Sequence, residues 1–430
     1  MPHTFDTPHS RRSFLKATSV AGFGSVLAFP SLALGPTDRT LKIGLVGCGG
    51  RGTGAANQAL SADKSVELTA IADVFPEQIE KALEQLRAVH PEKIKVGDEQ
   101  KFVGLGAIDQ LLATDVDVVL LTTPPGFRPD HFAKAVKAGK HTFCEKPIAT
   151  DAPGVRKFLA AASESKQKGL GVQSGFCWRT HYAERETYQR VRDGMIGDVH
   201  TAYSTYLGSS PWSKPREASW SDLEYQLRNW MYFCWLSGDH LVEQAVHSVD
   251  KMCWAFDDVP PISATGQGGR QQRVEAEYGH VYDHFSIAYE YPNGGRGFIA
   301  CRQQQGCAGD VSDQVIGSKG SVRQTSGKKN MILTAGKETW KYDGPKNDMY
   351  QTEHDEFFAS IRAGQPLNFG EKLAHSTLVA IMGRMSAYTG QTITWDEALN
   401  SQESLIPANL DMQMKLETPP VPMPGRTKFS

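Results

Sequence analysis

A glycine-rich segment near residue 50 has the composition and spacing of a loop that binds phosphate. Gly47, Gly49 and Gly52 fit the pattern G-x-G-x-x-G directly after the apolar run LKIGLV. In such a loop the first glycine allows a tight turn, the second lets a pyrophosphate approach the backbone, and the third lets a helix pack closely on a strand. The positive end of that helix faces the phosphates. The segment therefore predicts a dinucleotide site, and we include the intervening Gly50 and Arg51 in it.

An acidic residue at a suitable distance extends this site to a ribose. Asp73 lies about 20 residues after Gly52, at the end of a second apolar segment. A carboxylate at that place can accept hydrogen bonds from the adenosine ribose. The neighbouring Val74 and Phe75 carry no positive charge for a 2′-phosphate, so the sequence favours NAD over NADP.

A second motif, between residues 122 and 149, carries the most specific pattern in the chain. It reads TTPPGFRPDHFAKAVKAGKHTFCEKPIA. This motif closely resembles the glucose-fructose oxidoreductase, inositol dehydrogenase and rhizopine catabolism (Gfo/Idh/MocA) family at Thr123, Pro124, His131, Ala138, Gly139, Lys140, His141, Glu145, Lys146 and Pro147. Together with the glycine loop and a helix near residue 240, the resemblance covers nearly the whole chain beyond its N-terminal segment.

The resemblance implies roles for several residues of the second motif. Thr123, Pro124, Glu145 and Lys146 would help to bind the cofactor. Lys146 would also stand beside the nicotinamide and hydrogen-bond the hydroxyl or carbonyl group that the reaction interconverts. Pro147 would fix the backbone that follows, through a cis peptide bond.

A predicted helix from Asp239 to Phe256 resembles the other half of the family's site. The family places a carboxylate, usually Asp, four residues before a histidine, and these positions hold Glu243 and His247 here. Residues at this spacing share one face of a helix. The resemblance makes His247 the general acid and base, Glu243 its orienting group or a ligand of a substrate hydroxyl, and Lys146 their electrostatic partner.

Two other interpretations of this helix stay open. His240, Glu243, His247 and Asp250 lie on one face, which is also compatible with a plain amphipathic helix. The first three residues could instead bind a metal ion from adjacent turns. The resemblance argues against a metal, because hydride transfer in this family generally needs none.

Candidate substrate contacts flank these two motifs. Trp178 and Arg179 follow the last predicted strand of the first domain, at the mouth of the cofactor cleft, and His240 and Trp230 are further candidates. Indole rings stack on the C–H faces of sugars, so a carbohydrate ligand is predicted. For each tryptophan taken singly, packing in the core or an interface is an equally good interpretation.

The elements that must position these residues fall into two groups. Strands alternate with helices up to about residue 177, which predicts a Rossmann fold with a doubly wound parallel sheet. The chain then becomes rich in β-branched and aromatic segments, with a hairpin turn at residues 292–295 and a helix at 352–363 on the second sheet or at its edge. We predict a Rossmann domain over residues 39–177, an α+β substrate-binding and oligomerisation domain with an open, mostly antiparallel sheet over 178–416, and an irregular tail over 417–430.

The first 33 residues resemble a twin-arginine export signal. A charged head precedes a weakly hydrophobic stretch and a small-residue cleavage site, and its motif residues are Ser10, Arg11, Arg12, Phe14, Leu15 and Lys16. Proteins exported by this route fold before they cross the membrane, usually because they take up a cofactor in the cytoplasm. The signal therefore predicts a periplasmic protein that holds its cofactor tightly.

Composition excludes several classes of protein. The 430 residues include 46 Lys and Arg against 48 Asp and Glu, a balance that disfavours a nucleic-acid-binding protein. No apolar run of about 18 residues is present, which argues against an integral membrane protein. The seven cysteines are scattered and odd in number, so they do not predict a disulfide framework, although a bridge between Cys301 and Cys307 stays open.

Three functions are compatible with these patterns. The leading hypothesis is an NAD-dependent oxidoreductase that acts on a secondary alcohol of a sugar, cyclitol or glycoside. The second is an NAD-using glycosidase that oxidises, eliminates, adds water and reduces again. The third is a non-catalytic sensor, against which Lys146, Glu243 and His247 argue. A homodimer or homotetramer is expected because the second sheet exposes one face.

Overall fold

The computed structural model describes residues 39–325 and 328–429, which form two β-sheets with helices packed around them. The predicted export signal falls on the first 33 residues and lies outside the described part. No helix formed by the described residues combines the length and apolar composition that a bilayer crossing requires.

A parallel sheet forms the first half of the fold. Its strands are β1 (Leu41–Val46), β2 (Val66–Asp73), β3 (Lys101–Val103), β4 (Val118–Leu121), β5 (His141–Cys144) and β6 (Val172–Ser174). They lie in the order β3-β2-β1-β4-β5-β6, and all neighbours run parallel. The order reverses between β1 and β4, which opens a crevice at their carboxyl ends. This is the predicted Rossmann arrangement.

Helices cover both faces of this sheet. They are α1 (Gly50–Ala62), α2 (Pro76–Val89), α3 (Ala107–Leu112), α4 (Arg128–Lys137) and α5 (Ala152–Gln167). Because the strands are covered on both sides, β4 is apolar and buried at every position. Small residues of α1, such as Ala55 and Ala59, are fully buried and let that helix approach the sheet closely.

A larger, mostly antiparallel sheet forms the second half. Its strands are β7 (Val199–Gly208), β8 (Ser263–Gly269), β9 (His284–Glu290), β10 (Arg296–Gln303), β11 (Ser312–Gly317), β12 (Gly320–Thr325), β13 (Met331–Thr334), β14 (Lys337–Lys341) and β15 (Ile393–Thr394). Their order is β14-β13-β12-β11-β7-β10-β9-β8-β15, and β7 and β10 pair in parallel. The predicted hairpin turn joins β9 to β10. The predicted fold class is confirmed.

The helices of the second half lie between the two sheets and at their margins. They are α6 (Tyr182–Arg192), α7 (Asp222–Arg228), α8 (Cys234–Ser237), α9 (His240–Glu243), α10 (Val246–Ala255), α11 (Met349–Arg362), α12 (Gly370–Thr389) and α13 (Trp395–Asn400). The long helix α12 is buried along almost its whole length and packs on both β8 and α5. It has no polar face, so its sequence carries no helical periodicity that would reveal it.

Helix α11 occupies a different place from the predicted one. It packs on α1 of the Rossmann sheet, where Phe357, Phe358 and Ile361 join the core of the first half. Its apolar stripe predicts a buried face but not which sheet covers that face. All seven cysteines are free thiols, so Cys301 and Cys307 form no bridge.

A glycine within α12, Gly383, lies against Tyr289 and Ile287 of the second sheet. A Cβ atom at Gly383 would lie 2.3 Å from the hydroxyl oxygen of Tyr289 and 3.3 Å from Ile287. That hydroxyl donates to the carbonyl of Val379, 3.0 Å away. A methyl group at this place would therefore displace a buried hydrogen bond.

We predict that Gly383→Ala destabilises the protein by about 1–3 kcal/mol, because it overpacks this contact. The matched control is Gly54→Ala in α1, where the added Cβ meets only Arg51 at an ordinary 3.5 Å. Alanine has the higher helix propensity, so the control should gain up to about 1 kcal/mol. Urea unfolding of both variants measures the difference, and an equal gain in both would contradict the packing described here.

Candidate functional site

The loop between β1 and α1 has the shape that its glycines predict. Gly47 has φ +94°, and a Cβ there would lie 2.7 Å from the amide nitrogen of Thr123. A Cβ at Gly52 would lie 1.9 Å from the carbonyl oxygen of Gly47. At Gly49 and Gly50 it would meet nothing within 4 Å. The fold thus requires the first and third glycines, and the second leaves space at the helix N-terminus for a ligand.

Asp73 stands at the end of β2, as the sequence predicts. Its carboxylate accepts hydrogen bonds from the amides of Cys48 at 2.6 Å and Phe75 at 2.9 Å. Burial raises the pKa of Asp73, and these amides partly offset that rise. The carboxylate therefore ties the glycine loop to the turn after β2 while it faces the cleft.

A cleft of about 600 Å³ runs over this loop. The predicted residues that line it are Gly47, Gly49, Gly50, Arg51, Gly52, Asp73, Thr123, Pro124 and Trp230. The second half of the fold supplies the opposite wall with Trp212, Lys214 and Arg228, and sequence patterns did not indicate the two cations. The open glycine turn, the ribose-binding carboxylate and the cationic wall fit a dinucleotide.

Lys146 follows β5 and reaches across to the second half of the fold. The Lys146–Pro147 peptide is cis, as the resemblance implied. The Lys146 ammonium donates to the side chain of Glu243 at 3.0 Å and to its carbonyl oxygen at 2.5 Å. Both side chains are mostly buried. The structure thus brings together two of the three predicted catalytic residues.

The predicted helix over residues 239–256 is broken, and the break explains this contact. It forms two helices, α9 and α10, that are separated after Glu243. In a continuous helix the amide of His247 would donate to the carbonyl of Glu243, but it turns instead toward Gln244, 3.4 Å away. The carbonyl of Glu243 is thereby released and accepts from Lys146.

His247 lies in the first turn of α10, just after this break. The ring of Phe176 packs edge-on against it at a centroid distance of 6.1 Å. Burial lowers the pKa of His247 well below its usual value, and the cations Lys146, Lys251 and Arg51 lower it further. Its Nδ1 atom has no hydrogen-bond partner among the described residues. The imidazole is therefore neutral near pH 7 and able to accept a proton.

A buried cation that the predictions missed stands one turn beyond His247. Lys251 forms an ion pair with Asp313 of β11, and its ammonium lies 4.7 Å from the ring centroid of Trp178. The spacing of four residues from His247 was the available signal. Trp178 thus covers the ammonium of Lys251. Within the described part of the chain, its ring forms no cation–π contact with Lys146 and no hydrogen bond with Glu243.

Glu145 and Arg51 contact each other rather than presenting free charges to the cleft. Arg51 pairs with Glu145 and, at 3.0 Å, with the fully buried Glu353 of α11. Burial would raise the pKa of Glu145, but Arg51, Arg128 and Lys146 outweigh it and lower the pKa. The side chain of Glu145 also accepts the amide of Lys146 at 3.1 Å. Glu145 therefore positions Lys146, and its predicted contact with the cofactor stays a prediction.

His240 does not join the predicted site. Its Nδ1 lies 3.1 Å from Asp239 and its Nε2 lies 3.4 Å from the sulfur of Cys301, in the core beneath the second sheet. In the part of the chain that the structure describes, the side chain of His240 forms no hydrogen bond with Lys146, Glu243 or His247, so the structure does not bring it together with the three predicted catalytic residues. Among the residues described, no group of three or more His, Cys, Asp or Glu could hold a metal ion.

Among the described residues, Arg179 forms ion pairs with neither Glu243 nor Glu145 but with two other carboxylates. Its guanidinium pairs with Asp250 at 2.8 Å and Asp258 at 2.6 Å, and it stacks on Trp254. It lines a separate groove of about 720 Å³. These two carboxylates occupy the guanidinium that was predicted to contact the substrate. They come from α10 and the turn after it, and the sequence does not show that they face Arg179.

Family models match both halves of the chain. The model described as the oxidoreductase family with an NAD-binding Rossmann fold matches residues 41–174. The model of the GFO/IDH/MocA C-terminal domain matches residues 185–323. The first matched range spans the parallel sheet, and the second contains strands β7 to β11 and most of β12 of the larger sheet.

Individual proteins give the same picture. Inositol 2-dehydrogenase of Rhizobium meliloti is 26% identical over 323 residues, which are 75% of this chain and 86% of that protein. A glycosyl hydrolase family 109 protein of Solibacter usitatus is 30% identical over 235 residues, which are 51% of each chain. The fold is shared with aldose-aldose oxidoreductase from Caulobacter crescentus, with a TM-score of 0.66, 20% identity and coverage of 83% of this chain and 100% of that one.

The two matched domains, in the order and arrangement that the structure shows, therefore establish that this chain belongs to the Gfo/Idh/MocA family of NAD-binding oxidoreductases.

Proposed function

We propose that this chain interconverts a secondary alcohol and a ketone on a sugar, cyclitol or glycoside, with NAD as the hydride carrier. The observation that carries the proposal is the contact of Lys146 with Glu243 at the helix break that precedes His247, because Lys146 is linked through Glu145 to Arg51, which lines the cleft that fits a dinucleotide. This assembly favours catalysis over a purely sensory role. When bound, NAD supplies a carrier that accepts hydride in its oxidised form and donates it in its reduced form.

His247 is proposed to accept the hydroxyl proton during oxidation and to return it during reduction. Because burial and nearby cations lower its pKa, the ring is unprotonated before oxidation begins. The Lys146 ammonium would stabilise negative charge that develops on the substrate oxygen. Glu243 holds that ammonium in place through its carboxylate and its released carbonyl.

The substrate class is supported by the relatives rather than by a substrate pocket. Inositol 2-dehydrogenase is named for a cyclitol, and the aldose-aldose oxidoreductase for aldoses. Of the predicted aromatic contacts, Trp230 lines the cofactor cleft and Trp178 covers Lys251. Neither position contradicts a polyhydroxylated substrate.

The relative in glycosyl hydrolase family 109 favours a second candidate function. Oxidation of a ring hydroxyl acidifies the neighbouring C–H, so a glycosidic substituent can be eliminated. Addition of water and reduction then complete a net hydrolysis, and the cofactor returns to its first state. The same lysine and histidine would serve both reactions.

We further propose that the protein is exported to the periplasm and retains its cofactor there. Arg11 and Arg12, with their neighbours, support this proposal. A homodimer or homotetramer is proposed through the open face of the second sheet. Tyr203, Phe298 and Ile316 lie on that face in neighbouring strands, and Tyr203 and Ile316 are among the exposed large apolar residues.

We expect His247→Asn to lower kcat for alcohol oxidation at least about 100-fold, because the proton acceptor is removed. Turnover of a panel of cyclitols and sugars with NAD measures the rate, and NADH fluorescence titration should show affinity within about twofold of wild type. The control is His200→Asn, an exposed histidine of β7. Wild-type turnover by His247→Asn would show that another group carries the proton.

Nitrophenyl glycosides separate the two candidate reactions. An oxidoreductase with no glycosidase activity releases no nitrophenol from a panel of these substrates and reduces added NAD in the presence of a sugar or cyclitol. This is the expected result. Nitrophenol release without net NADH formation would assign the chain to the second candidate instead.

Replacement of both Arg11 and Arg12 by lysine should keep the protein in the cytoplasm, because the twin-arginine pathway recognises the arginine pair and not its charge alone. Cell fractionation and immunoblotting of a bacterial host measure the distribution, with a host that lacks the translocase as the reference. Equal periplasmic amounts of wild type and variant would contradict export by this route.

A further inference from the structure

We propose that residues 212–230, here called the cover, close over the adenosine end of the dinucleotide cleft and that Arg228 latches the cover to the Rossmann domain. The cover belongs to the second half of the fold and contains α7. Trp212, Lys214 and Arg228 of the cover line the same cleft as Asp73. This proposal rests on the proposed use of NAD, and it assigns the retention of NAD to the cover.

The latch consists of one side chain with several partners. The guanidinium of Arg228 lies 4.0 Å from the ring centroid of Phe75 and 4.9 Å from that of Trp220, so it is held between two aromatic faces. It also donates to Glu77 at 2.8 Å and to Glu224 at 2.9 Å. Phe75 and Glu77 belong to the Rossmann domain, whereas the other partners belong to the cover.

The latch acts on the turn that carries the ribose-binding carboxylate. Phe75 donates its amide to Asp73 at 2.9 Å, and Glu77 lies in the first turn of α2 directly after it. A dinucleotide that reaches Asp73 is therefore beside the point at which the two halves of the fold are joined. Arg228 has to leave Phe75 and Glu77 before the cover can move away from this end of the cleft.

The cover is braced from inside by hydrogen bonds of its own and of the residues beside it. The side chain of Asn229 accepts the amide of Lys214 at 2.7 Å and donates to its carbonyl at 3.1 Å. The hydroxyl of Tyr232 lies 2.9 Å from the carbonyls of both Pro211 and Trp212. These contacts fix residues 211–214 to the segment that follows α7. We therefore expect the cover to move as one unit.

The segment 412–416, just before the irregular C-terminal tail, braces the cover from outside. Gln226 donates to the carbonyl of Leu416 at 2.8 Å, Ser221 donates to that of Met412 at 2.5 Å, and the amide of Leu416 donates to Asp222 at 3.1 Å. This segment therefore helps to hold α7 in place. Arg228 then joins the braced cover to the Rossmann domain at this end of the cleft, and we expect the release of a dinucleotide to depend on that contact.

The test compares the rate of NADH release from three variants of the full chain. Arg228→Ala removes the latch, and Glu77→Gln removes only its ion pair across the cleft. Arg216→Ala is the matched control, because Arg216 also pairs with an acid of α7, Asp222 at 2.7 Å, and stacks on Tyr225, but it lies outside the cleft. Stopped-flow fluorescence after addition of excess NAD gives the rate of NADH loss without any sugar substrate.

We expect Arg228→Ala to release NADH about tenfold faster than wild type or more, in keeping with the loss of a charged hydrogen bond and a cation–π contact. Glu77→Gln should release it about threefold faster, and Arg216→Ala within twofold of wild type. Because Glu77 is half exposed, its variant keeps the test decisive if Arg228→Ala fails to fold.

Equal release rates for the latch variants and Arg216→Ala would overturn the inference. The proposed reaction is tested separately by turnover. Slow, latch-dependent release from a protein that oxidises no sugar would leave the inference standing and refute the reaction, whereas sugar oxidation with latch-independent release would do the opposite. A wild-type protein that binds no NADH would overturn both.

Discussion

The ion pair between Lys146 and Glu243 is the interaction on which the site depends, because it joins the Rossmann sheet to the helices of the second sheet. A mostly buried ammonium needs partners, and it takes two from one residue, a carboxylate and a backbone carbonyl. That carbonyl is available only because the helix breaks after Glu243. The break also sets the place of His247, so one local irregularity arranges all three residues.

The pair continues a row of alternating charges through the first domain. Arg51 of the glycine loop pairs with Glu145, Glu145 receives the amide of Lys146, and Lys146 pairs with Glu243. Removal of one partner would leave a buried charge uncompensated, so each residue fixes the next. The glycine loop and the pair of Lys146 and Glu243 are thus connected by electrostatics as well as by the sheet.

Patterns of local spacing predicted the glycine loop and Asp73, whereas the roles of Lys146, Glu243 and His247 came from the resemblance to the family. The parallel sheet and the hairpin between β9 and β10 were equally visible as periodicity. The helix break was not, since Glu243 and His247 keep helical spacing across it. Contacts between distant residues, such as Arg51 with Glu353 or Arg228 with Phe75, leave no local signal, and α12 shows none because every face is buried.

The central claim is that His247 is a neutral base held beside cations, and an NMR titration of its ring tests this most directly. The imidazole carbon resonances of the wild type, assigned by comparison with His247→Asn, can be followed from pH 8 to pH 6 without a substrate. We expect no titration of His247 in that range, because burial, Lys146 and Lys251 hold its pKa well below the usual value of about 6.5. A midpoint near 6.5 would show a solvated histidine and contradict the account.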